Sequence, residues 1–202
     1  MIRLLIATRN PGKLRELQRL LEGTAVTLET LATHPEVPEI DETGESFEEN
    51  ARSKAACAAR ATGLFALGED SGLEVAALGS APGVRSARFS GVHGDDRANN
   101  ERLLRELEGV CDRRARYVCC VVLADPHGRI LAAEHGVCHG RIIEAPRGEG
   151  GFGYDPLFVP DGEPRTMAEL SADEKSALSH RGRALRSLLP TLLAKLDPNP
   201  SR

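Results

Sequence analysis

The order of apolar and polar positions along the 202 residues predicts strands that alternate with helices. Residues 2–7 form a short apolar run, interrupted only by Arg3, which is typical of a buried strand. From Lys13 onward leucines recur at the spacing of one helix face, and Pro11 suits the first position of that helix. Residues 26–31 look like a second strand, so the chain begins with a strand, a helix and a strand.

The rest of the chain continues this alternation. A capping pattern of Ser46 and Glu49 precedes an Ala-rich helix, and the turn-forming residues 125–128 join two strands as a hairpin. We expect Pro190 to kink or break the last helix and the tail at 197–202 to be frayed. The further elements predicted are a helix at 51–61, a strand at 64–67, a loop at 79–94, a helix around 103–107, strands at 117–124 and 129–137, and helical sequence from 171 to 196.

Strands and helices that alternate in this way, with one hairpin, predict an α/β fold around a mixed sheet. No linker divides the chain, so we expect residues 1–202 to form a single domain. The hydrophobic share of 41% and the charged share of 28% are those of an ordinary folded domain. The net charge of −4 argues against a protein that coats nucleic acid, although a small phosphorylated ligand needs only a local cluster of cations.

Cysteine and lysine usage narrow the class of protein further. The 5 cysteines are never spaced C-x-x-C, so they fit neither a disulfide framework nor a zinc ribbon. No apolar stretch approaches the roughly 18 residues of a spanning helix and no signal-type start is present, so we expect a cytoplasmic protein without a membrane partner. Among the 26 cations only four are lysines, which makes each of them a position where arginine was not used: Lys13, Lys54, Lys175 and Lys195.

The first candidate site is the turn between the first strand and the first helix, Thr8-Arg9-Asn10-Pro11-Gly12-Lys13. A helix start presents N–H groups and the positive end of the helix dipole, which together attract anions. Lys13 adds a full charge, and Thr8 and Asn10 can orient phosphate oxygens. The spacing is not that of a Walker A loop, so an ordinary strand-to-helix turn is the alternative interpretation.

The second candidate is Glu69-Asp70-Ser71-Gly72, which we place at the mouth of a strand. One carboxylate could bind a metal or a water molecule while the other supports it, and Ser71 could donate to a phosphate oxygen. A solvated turn would have the same sequence. Further carboxylates crowd the preceding polar loop, and one that reached the same place would complete a magnesium site: Glu39, Asp41, Glu42 and Glu45.

Two later segments could recognise a nucleotide base. The stretch Gly150–Pro156 holds Phe152 and Tyr154 among glycines that are too dense for a core, and a ring there could stack on a base or cover the core as a lid. Lys175 and His180-Arg181 offer donors that could hydrogen-bond base carbonyl groups or reach phosphate. A pair such as His180-Arg181 at a helix start is also common on plain protein surfaces.

In this order and spacing, the segments resemble the inosine/xanthosine triphosphate pyrophosphatase family, over residues 2 to about 196. One position departs from the bacterial pattern, because Glu69 stands where a second Asp is frequent and so changes the reach of that carboxylate. The stretches that carry the resemblance are Thr8–Lys13, Glu42–Gly44 with Phe47–Ala51, Glu69–Leu73, Pro82–Arg88, Gly151–Pro156, and Glu174–Ser176 with Ser179–Arg181.

The resemblance implies an elongated, two-lobed α/β fold around a long mixed β-sheet, with flanking helices and a central active-site cleft. It also implies a homodimer and Mg²⁺-dependent hydrolysis of ITP, dITP and XTP to the monophosphate and pyrophosphate. Asp70 would be the catalytic base, and it would bind the metal together with Asp41, for which Glu39, Glu42 and Glu69 are alternatives. The substrate-binding residues would be Thr8, Arg9, Asn10, Pro11, Gly12, Lys13, Ser71, Phe152, Gly153, Tyr154, Asp155, Lys175, His180 and Arg181.

Two other functions remain open at this point. One is a nucleotide pyrophosphatase of different base choice, such as the Maf type, which acts on pyrimidine or modified nucleotides. The other is a nucleotide sensor without turnover. The Phe152 loop and the His180-Arg181 pair favour the purine enzyme over the first, and the carboxylate of Asp70 is the group that a sensor would be expected to lack.

Overall fold

The computed structural model describes residues 2–24, 26–40 and 42–196. Its strands are β1 (Ile2–Ala7), β2 (Val26–Thr30), β3 (Phe65–Val75), β4 (Arg114–Ala124), β5 (Ile130–Ile142) and β6 (Phe158–Pro160). Its α-helices are α1 (Pro11–Leu21), α2 (Phe47–Thr62), α3 (Asp96–Glu106), α4 (Ala172–Leu178) and α5 (His180–Leu196). The six strands form one sheet in the order β2-β1-β3-β4-β5-β6.

The direction of the strands makes the sheet a mixed one. β1 runs parallel to β2, with Leu4 opposite Leu28, and parallel to β3, with Leu4 opposite Phe65. β6 runs antiparallel to β5, with Gly140 opposite Pro160. Helices lie between the strands along the chain, so the predicted α/β fold with a mixed sheet is confirmed.

The chain divides into two compact units, each with its own apolar core. Unit 1 comprises Met1–Asp70, Cys119–Gly136 and Arg181–Arg202, and unit 2 comprises Ser71–Val118 and Val137–His180. The core of unit 1 includes Leu4, Ile6, Leu17, Leu67, Val121 and Leu188. The core of unit 2 includes Leu73, Leu103, Tyr117, Tyr154, Phe158 and Met167. Within the residues described, no helix is long and apolar enough to span a membrane.

β3 is much longer than the strand predicted at 64–67. It continues through Glu69 and Asp70 to Val75, so these carboxylates lie inside a strand and not at its mouth. Charged residues interrupt the apolar pattern from which a strand is predicted, but a strand can continue through them where partners compensate their charge. The expectation that these carboxylates lie at the mouth of a strand is therefore wrong, and so is the alternative of a solvated turn.

The helical region after Ser171 is also divided differently from the prediction. Ser171 and Glu174 form the predicted capping box at the start of α4. The break falls at Ser179, which adopts an extended conformation, whereas Pro190 lies inside α5. The helix is thus not broken at Pro190, and a kink there, the other predicted outcome, stays a prediction. The predicted fraying at 197–202 lies outside the described residues.

Three other predicted elements change in length or kind. The loop predicted at 79–94 contains a 3₁₀ helix at Gly83–Arg88. The helix expected around residues 103–107 begins earlier, at Asp96, where Asp95 caps it. α2 begins at Phe47 because Ser46 accepts a hydrogen bond from the Glu49 amide, as the capping pattern predicted.

Close packing of α2 against β3 depends on a glycine. A methyl group at Gly68 would lie 2.2 Å from the carbonyl oxygen of Ala51 and 2.6 Å from the amide nitrogen of Ala55. No side chain fits at those distances, so the helix backbone can rest directly on the strand. This approach brings the side chains of α2 to the carboxylate of Asp70, two residues after Gly68 in β3.

Candidate active site

Glu69 and Asp70 are the two buried carboxylates of β3, with 1% and 3% of their surface exposed. Successive residues of a strand point to opposite faces of the sheet, and the two carboxylates accordingly have different sets of partners. Buried carboxylates need compensating charge and hydrogen bonds. In unit 1 these come from α1, α2, β4 and α5.

Asp70 is held by two side chains of α2. The amide of Asn50 donates to Asp70 Oδ2 at 3.0 Å, and the ammonium of Lys54 lies 3.0 Å from Asp70 Oδ1. Asn50 and Lys54 are four residues apart and therefore share one helix face. The side-chain oxygen Oδ1 of Asn50 accepts a hydrogen bond from the backbone amide of Gly44, so the preceding loop is held beside Asp70.

Lys54 lies between two carboxylates from different segments. Its ammonium is 2.5 Å from Glu42 Oε1 as well as 3.0 Å from Asp70 Oδ1, and it donates to the backbone oxygen of Glu69. Burial by itself would lower the pKa of Lys54, but the negative charges of Asp70 and Glu42 raise it overall. Lys54 therefore remains charged and keeps the two acidic side chains close together.

Glu69 has a guanidinium and a thiol as partners. Arg181 Nη2 and Cys119 Sγ each lie 3.2 Å from Glu69 Oε1, and both side chains are buried. Burial, reinforced by the charge of Glu69, raises the pKa of the Cys119 thiol well above its ordinary value. The thiol thus stays protonated and donates to the carboxylate.

Arg181 also joins β3 to α1. Its Nη1 forms a short ion pair with Glu16, so one buried guanidinium lies between carboxylates of two elements. Although burial by itself would lower the pKa of Arg181, the charges of Glu69 and Glu16 raise it. Arg181 is thereby committed to unit 1, whereas the other predicted base-binding residues belong to unit 2.

The start of α1 supplies the remaining cation. Lys13 Nζ lies 3.1 Å from Glu69 Oε2 and 3.7 Å from Asp70 Oδ1. Asn10 is the N-cap of the helix, and its side chain accepts hydrogen bonds from the amides of Gly12 and Lys13. Two amides that were expected to face an anion thus have an internal partner in this structure.

The other residues of that turn are arranged around the cap. Thr8 Oγ1 accepts a hydrogen bond from the Asn10 amide, and Arg9 donates to the backbone oxygen of Val37. Pro11 occupies the first position of α1, as predicted. The turn is therefore fixed by its own hydrogen bonds, and Lys13 extends from it to the carboxylates.

A second cluster, in unit 2, is centred on Asp155. Asp155 Oδ2 lies 2.5 Å from Lys175 Nζ and accepts a hydrogen bond of 2.8 Å from the Phe152 amide. The Lys175 ammonium is also 4.7 Å from the centre of the Phe152 ring. Asp155 and Lys175 are both buried, while Phe152 is half-buried. The carboxylate thus fixes a lysine against the face of an aromatic ring.

The loop that carries Phe152 is held from α3. The amide of Gly153 donates to Asp96 Oδ2 at 2.7 Å, and its carbonyl accepts from Asn100 at 2.8 Å. Tyr154 is buried in the core of unit 2 and donates to the backbone oxygen of Ser86. The expectation that both aromatics of this stretch lie outside the core is wrong for Tyr154, because the glycines bend the chain back into the core.

His180 belongs to the same cluster as Asp155. Its ring stacks on that of Tyr117, with centres 4.6 Å apart and planes at 8°, and the Tyr117 hydroxyl lies 3.4 Å from Asp155 Oδ1. His180 is buried, unlike a histidine on a plain surface. Unit 2 therefore brings together four predicted residues: Phe152, Asp155, Lys175 and His180.

The remaining predicted residues lie elsewhere. Ser71 follows Asp70 in β3 and is the first residue of unit 2. Glu39 and Glu45 are exposed. Asp41, predicted as a metal ligand, lies outside the described residues.

Several residues of unit 1 were missed by sequence reasoning: Glu16, Asn50, Lys54 and Cys119. Two of them left a signal. Lys54 is one of only four lysines, and Asn50 precedes it by the four residues that place both on one face of an Ala-rich helix. Glu16 and Cys119 left none, because their partners are distant in sequence.

The oxygen atoms of unit 1 fit a hard divalent cation. The carboxylates of Asp70 and Glu42 both contact the ammonium group of Lys54, so the two acidic groups already surround one positive charge. Carboxylate oxygens are the ligands that Mg²⁺ takes in proteins. Asp70 and Glu42 are thus the described residues best suited to hold such an ion.

Comparison with known proteins identifies a matching family model, similar proteins and a similar solved structure. The model of the Ham1 family matches residues 4–191. A dITP/XTP pyrophosphatase of Syntrophobacter fumaroxidans is 54% identical, over 92% of this chain and 79% of that protein. One of Streptomyces avermitilis is 48% identical, over 95% and 98% respectively. A solved HAM1 protein from Coxiella burnetii has a TM-score of 0.86 and 43% identity, over 96% of this chain and 100% of that one.

Fold and site define an α/β protein with a buried, cation-supported pair of carboxylates. The family model covers nearly the whole chain, and the relatives are about half identical over most of it. The chain belongs to the Ham1 family.

Proposed function

We propose that this protein hydrolyses dITP, ITP and XTP to the nucleoside monophosphate and pyrophosphate, and so removes non-canonical purine nucleotides. The observation that carries this function is the buried Asp70, held between Asn50 and two lysines. The identity to relatives named dITP/XTP pyrophosphatase supports the choice of substrate. Among the described residues, no specific contact favours another activity.

Asp70 is the proposed general base. It accepts a proton from a water molecule, whose oxygen forms a bond to the α-phosphorus while the bond from that phosphorus to the bridging oxygen breaks. Pyrophosphate leaves with the electrons of that bond. A positioned carboxylate base contributes about 10²–10⁴-fold to such a step.

Lys13 and Lys54 neutralise charge around this base. A nucleoside triphosphate carries about four negative charges, which a net-acidic protein can hold only with local cations. Lys13 extends from the turn Thr8–Lys13, which we propose binds the triphosphate. Ser71, the residue after Asp70, is proposed to donate to a phosphate oxygen.

Magnesium is the proposed metal, held by Asp70 and an acidic residue of the preceding loop, Asp41 or Glu42. When bound, Mg²⁺ neutralises phosphate charge and orients phosphate oxygens. The 2.5 Å contact between Lys54 and Glu42 supports Glu42, because it holds that carboxylate beside Asp70. Glu69 fits this role less well, since Arg181 and Cys119 engage its carboxylate.

The Asp155 cluster is the proposed site for the base. Phe152 offers a ring face for stacking, and Lys175 and His180 are proposed to read the purine oxo groups. Arg181 is less suited to this role, because Glu16 and Glu69 hold its guanidinium in unit 1. A buried donor aimed at the 6-oxo group would meet another donor in adenine, and an unpaired buried group costs about 1–3 kcal/mol. This difference would favour inosine and xanthine over adenine.

We further propose that the protein acts in the cytoplasm and that it is a homodimer, the second because its resemblance to the family implies one. Sedimentation at micromolar concentration tests the oligomeric state, and a monomer over the whole working range would contradict the proposal.

The function is tested by product analysis. The protein is incubated with Mg²⁺ and separately with dITP, ITP, XTP, GTP and ATP, and nucleotides and phosphates are resolved by anion exchange. Monophosphate with pyrophosphate from the first three, and little from GTP or ATP, is the expected result. Diphosphate with orthophosphate would move the attack to the γ-phosphorus, and no turnover would favour a sensor or an enzyme of pyrimidine nucleotides.

The role of Asp70 is tested with a matched pair of variants. Asp70→Asn keeps the shape of the side chain and should abolish turnover while triphosphate binding, measured by calorimetry, persists. Asp161→Asn makes the same chemical change at an exposed position and should leave turnover intact. Hydrolysis by Asp70→Asn at near the unmodified rate would show that another group is the base.

A further inference from the structure

A second group of potential ligands lies in unit 1, on residues that the proposed function does not use. Glu48 is in the first turn of α2, Cys120 is in β4, and His135 is in β5. One ligand atom from each residue lies within 4.8 Å of the others. Residues 48, 120 and 135 thus meet in space although they are far apart in sequence.

The distances within the group suit a small metal ion. His135 Nε2 lies 3.0 Å from Glu48 Oε2 and 3.9 Å from Cys120 Sγ. Tetrahedral Zn²⁺, with bonds of about 2.3 Å to sulfur and about 2.0–2.1 Å to nitrogen or oxygen, would set its ligand atoms roughly 3.3–3.6 Å apart. These two separations lie on either side of this range, and the third, between Glu48 and Cys120, is within 4.8 Å, so side-chain movements of up to about 1 Å would complete the geometry.

The surrounding structure orients the group and leaves it open to solvent. Arg52 is bonded to Glu48 Oε1, which leaves Oε2 directed at His135. Half of the His135 side chain is exposed, whereas Cys120 is buried beneath it. Since Cys119 contacts Glu69 and successive strand residues alternate in direction, the Cys120 thiol points to the other face of the sheet, the one on which α2 packs.

We propose that Glu48, Cys120 and His135 form a binding site for a borderline transition metal ion such as Zn²⁺, with water as the fourth ligand. Thiolate, imidazole and carboxylate together are a donor set typical of zinc, and unlike the oxygen ligands that suit Mg²⁺ at Asp70. Cysteine binds as the thiolate, so its proton passes to the solvent as the ion enters.

The bound ion would fasten the start of α2 to β4 and β5. The same helix carries Asn50 and Lys54, which hold Asp70. A ligand that binds the native protein and not the unfolded chain stabilises the native state by mass action. Binding should therefore raise the midpoint of thermal unfolding, even in protein that has no nucleotide.

The test is a titration of the metal-free, full-length protein with Co²⁺, a spectroscopic substitute for Zn²⁺, followed by competition with Zn²⁺. A cobalt–thiolate charge-transfer band at one equivalent, together with visible bands of tetrahedral intensity, is expected. Zinc should abolish both, and it should raise the unfolding midpoint. Absence of a thiolate band at saturating Co²⁺ would overturn the proposal.

Variants locate the ion. Cys120→Ser should remove the charge-transfer band, and His135→Gln, at an exposed side chain that folding tolerates, should weaken Co²⁺ affinity by more than about tenfold. Cys111→Ser and His93→Gln change exposed residues of the same types and should leave the titration unchanged. A band that survives in Cys120→Ser and disappears in Cys119→Ser would place the ion at the carboxylates of β3 and refute this site.

Discussion

Gly151 offers a sharp test of how the Asp155 cluster is built. Its φ of +74° is in the left-handed region, and a methyl group added there would lie 2.0 Å from Asp155 Oδ2. Gly151→Ala therefore has two costs, one from the backbone and one from the displaced carboxylate. The carboxylate cannot move without disturbing its bonds to the Phe152 amide and to Lys175.

The expected loss of stability in Gly151→Ala is the sum of these two costs. A left-handed conformation costs a residue with a Cβ about 1–2 kcal/mol, and a lost hydrogen bond to a charged group costs about 1.5–3 kcal/mol. Gly162 supplies the control, because its φ of +81° is similar and nothing lies within 4 Å of an added methyl group. Gly162→Ala should lose only the backbone cost of about 1–2 kcal/mol, and Gly151→Ala should lose both costs, about 2.5–5 kcal/mol in all.

Urea unfolding measures the free energy of unfolding of both variants. Initial rates with dITP measure the effect of each substitution on kcat and KM. We expect Gly151→Ala to raise the KM with little change in kcat, because Asp155 orients Phe152 and Lys175 while the carboxylates of β3 are untouched. If Gly151→Ala and Gly162→Ala lose equal stability and keep the same KM, the carboxylate of Asp155 is not fixed by its neighbours and the reasoning fails.

Three other predictions address single contacts. Lys54→Met removes the cation between two carboxylates and should lower the free energy of unfolding by about 3 kcal/mol in urea titrations; a loss below about 1 kcal/mol would contradict its bridging position. Phe152→Ala should raise the KM for dITP about tenfold through lost stacking, and an unchanged KM would exclude Phe152 from the base site. At about pH 8 a thiol reagent should modify Cys111 in the native protein and spare Cys119, whose pKa burial raises; equal labelling rates, measured by mass spectrometry, would contradict its burial.

Local sequence patterns were sufficient to predict the first strand and the beginning of the first helix. The bounds of β1 were predicted as residues 2–7, and Pro11 was predicted at the first position of α1. The capping box of Ser171 and Glu174 was likewise predicted from residue types alone. In each case the interactions that decide the structure lie within a few residues, so the sequence displays them directly.

The predictions that were wrong concern residues of the opposite kind. Their structure is decided by partners far along the chain. β3 continues through Glu69 because a guanidinium 112 residues away compensates its charge. Tyr154 is buried because it can donate to Ser86, which is 68 residues distant. No periodicity within a short window records such partners, so the continuation of the strand beyond residue 67 and the burial of Tyr154 were missed.

The small number of lysines in the composition indicated site residues independently of local sequence patterns. Three of the four lysines lie at the two clusters, with Lys13 and Lys54 at the carboxylates of β3 and Lys175 at Asp155. Arginine presents a flat, rigid fork of donors, whereas lysine presents a compact charge on a flexible stem. Positions where a single oxygen must be approached closely, as at 2.5 Å in the Asp155 pair, suit the smaller head group.

Glu69 and Asp70 are adjacent in sequence, but their different partners suit the two carboxylates to different roles. The buried guanidinium of Arg181 holds Glu69, so protonation of that carboxylate would leave a buried positive charge short of a partner. Asp70 instead faces an amide and two lysines, whose flexible stems can turn toward phosphate oxygens when a polyanion arrives. The lysines at Asp70 can therefore engage a phosphate group, whereas the guanidinium at Glu69 is held by a second carboxylate, that of Glu16. This difference supports Asp70 as the proposed base and gives Glu69 a positioning role, in which it links β3 to Arg181 and Lys13.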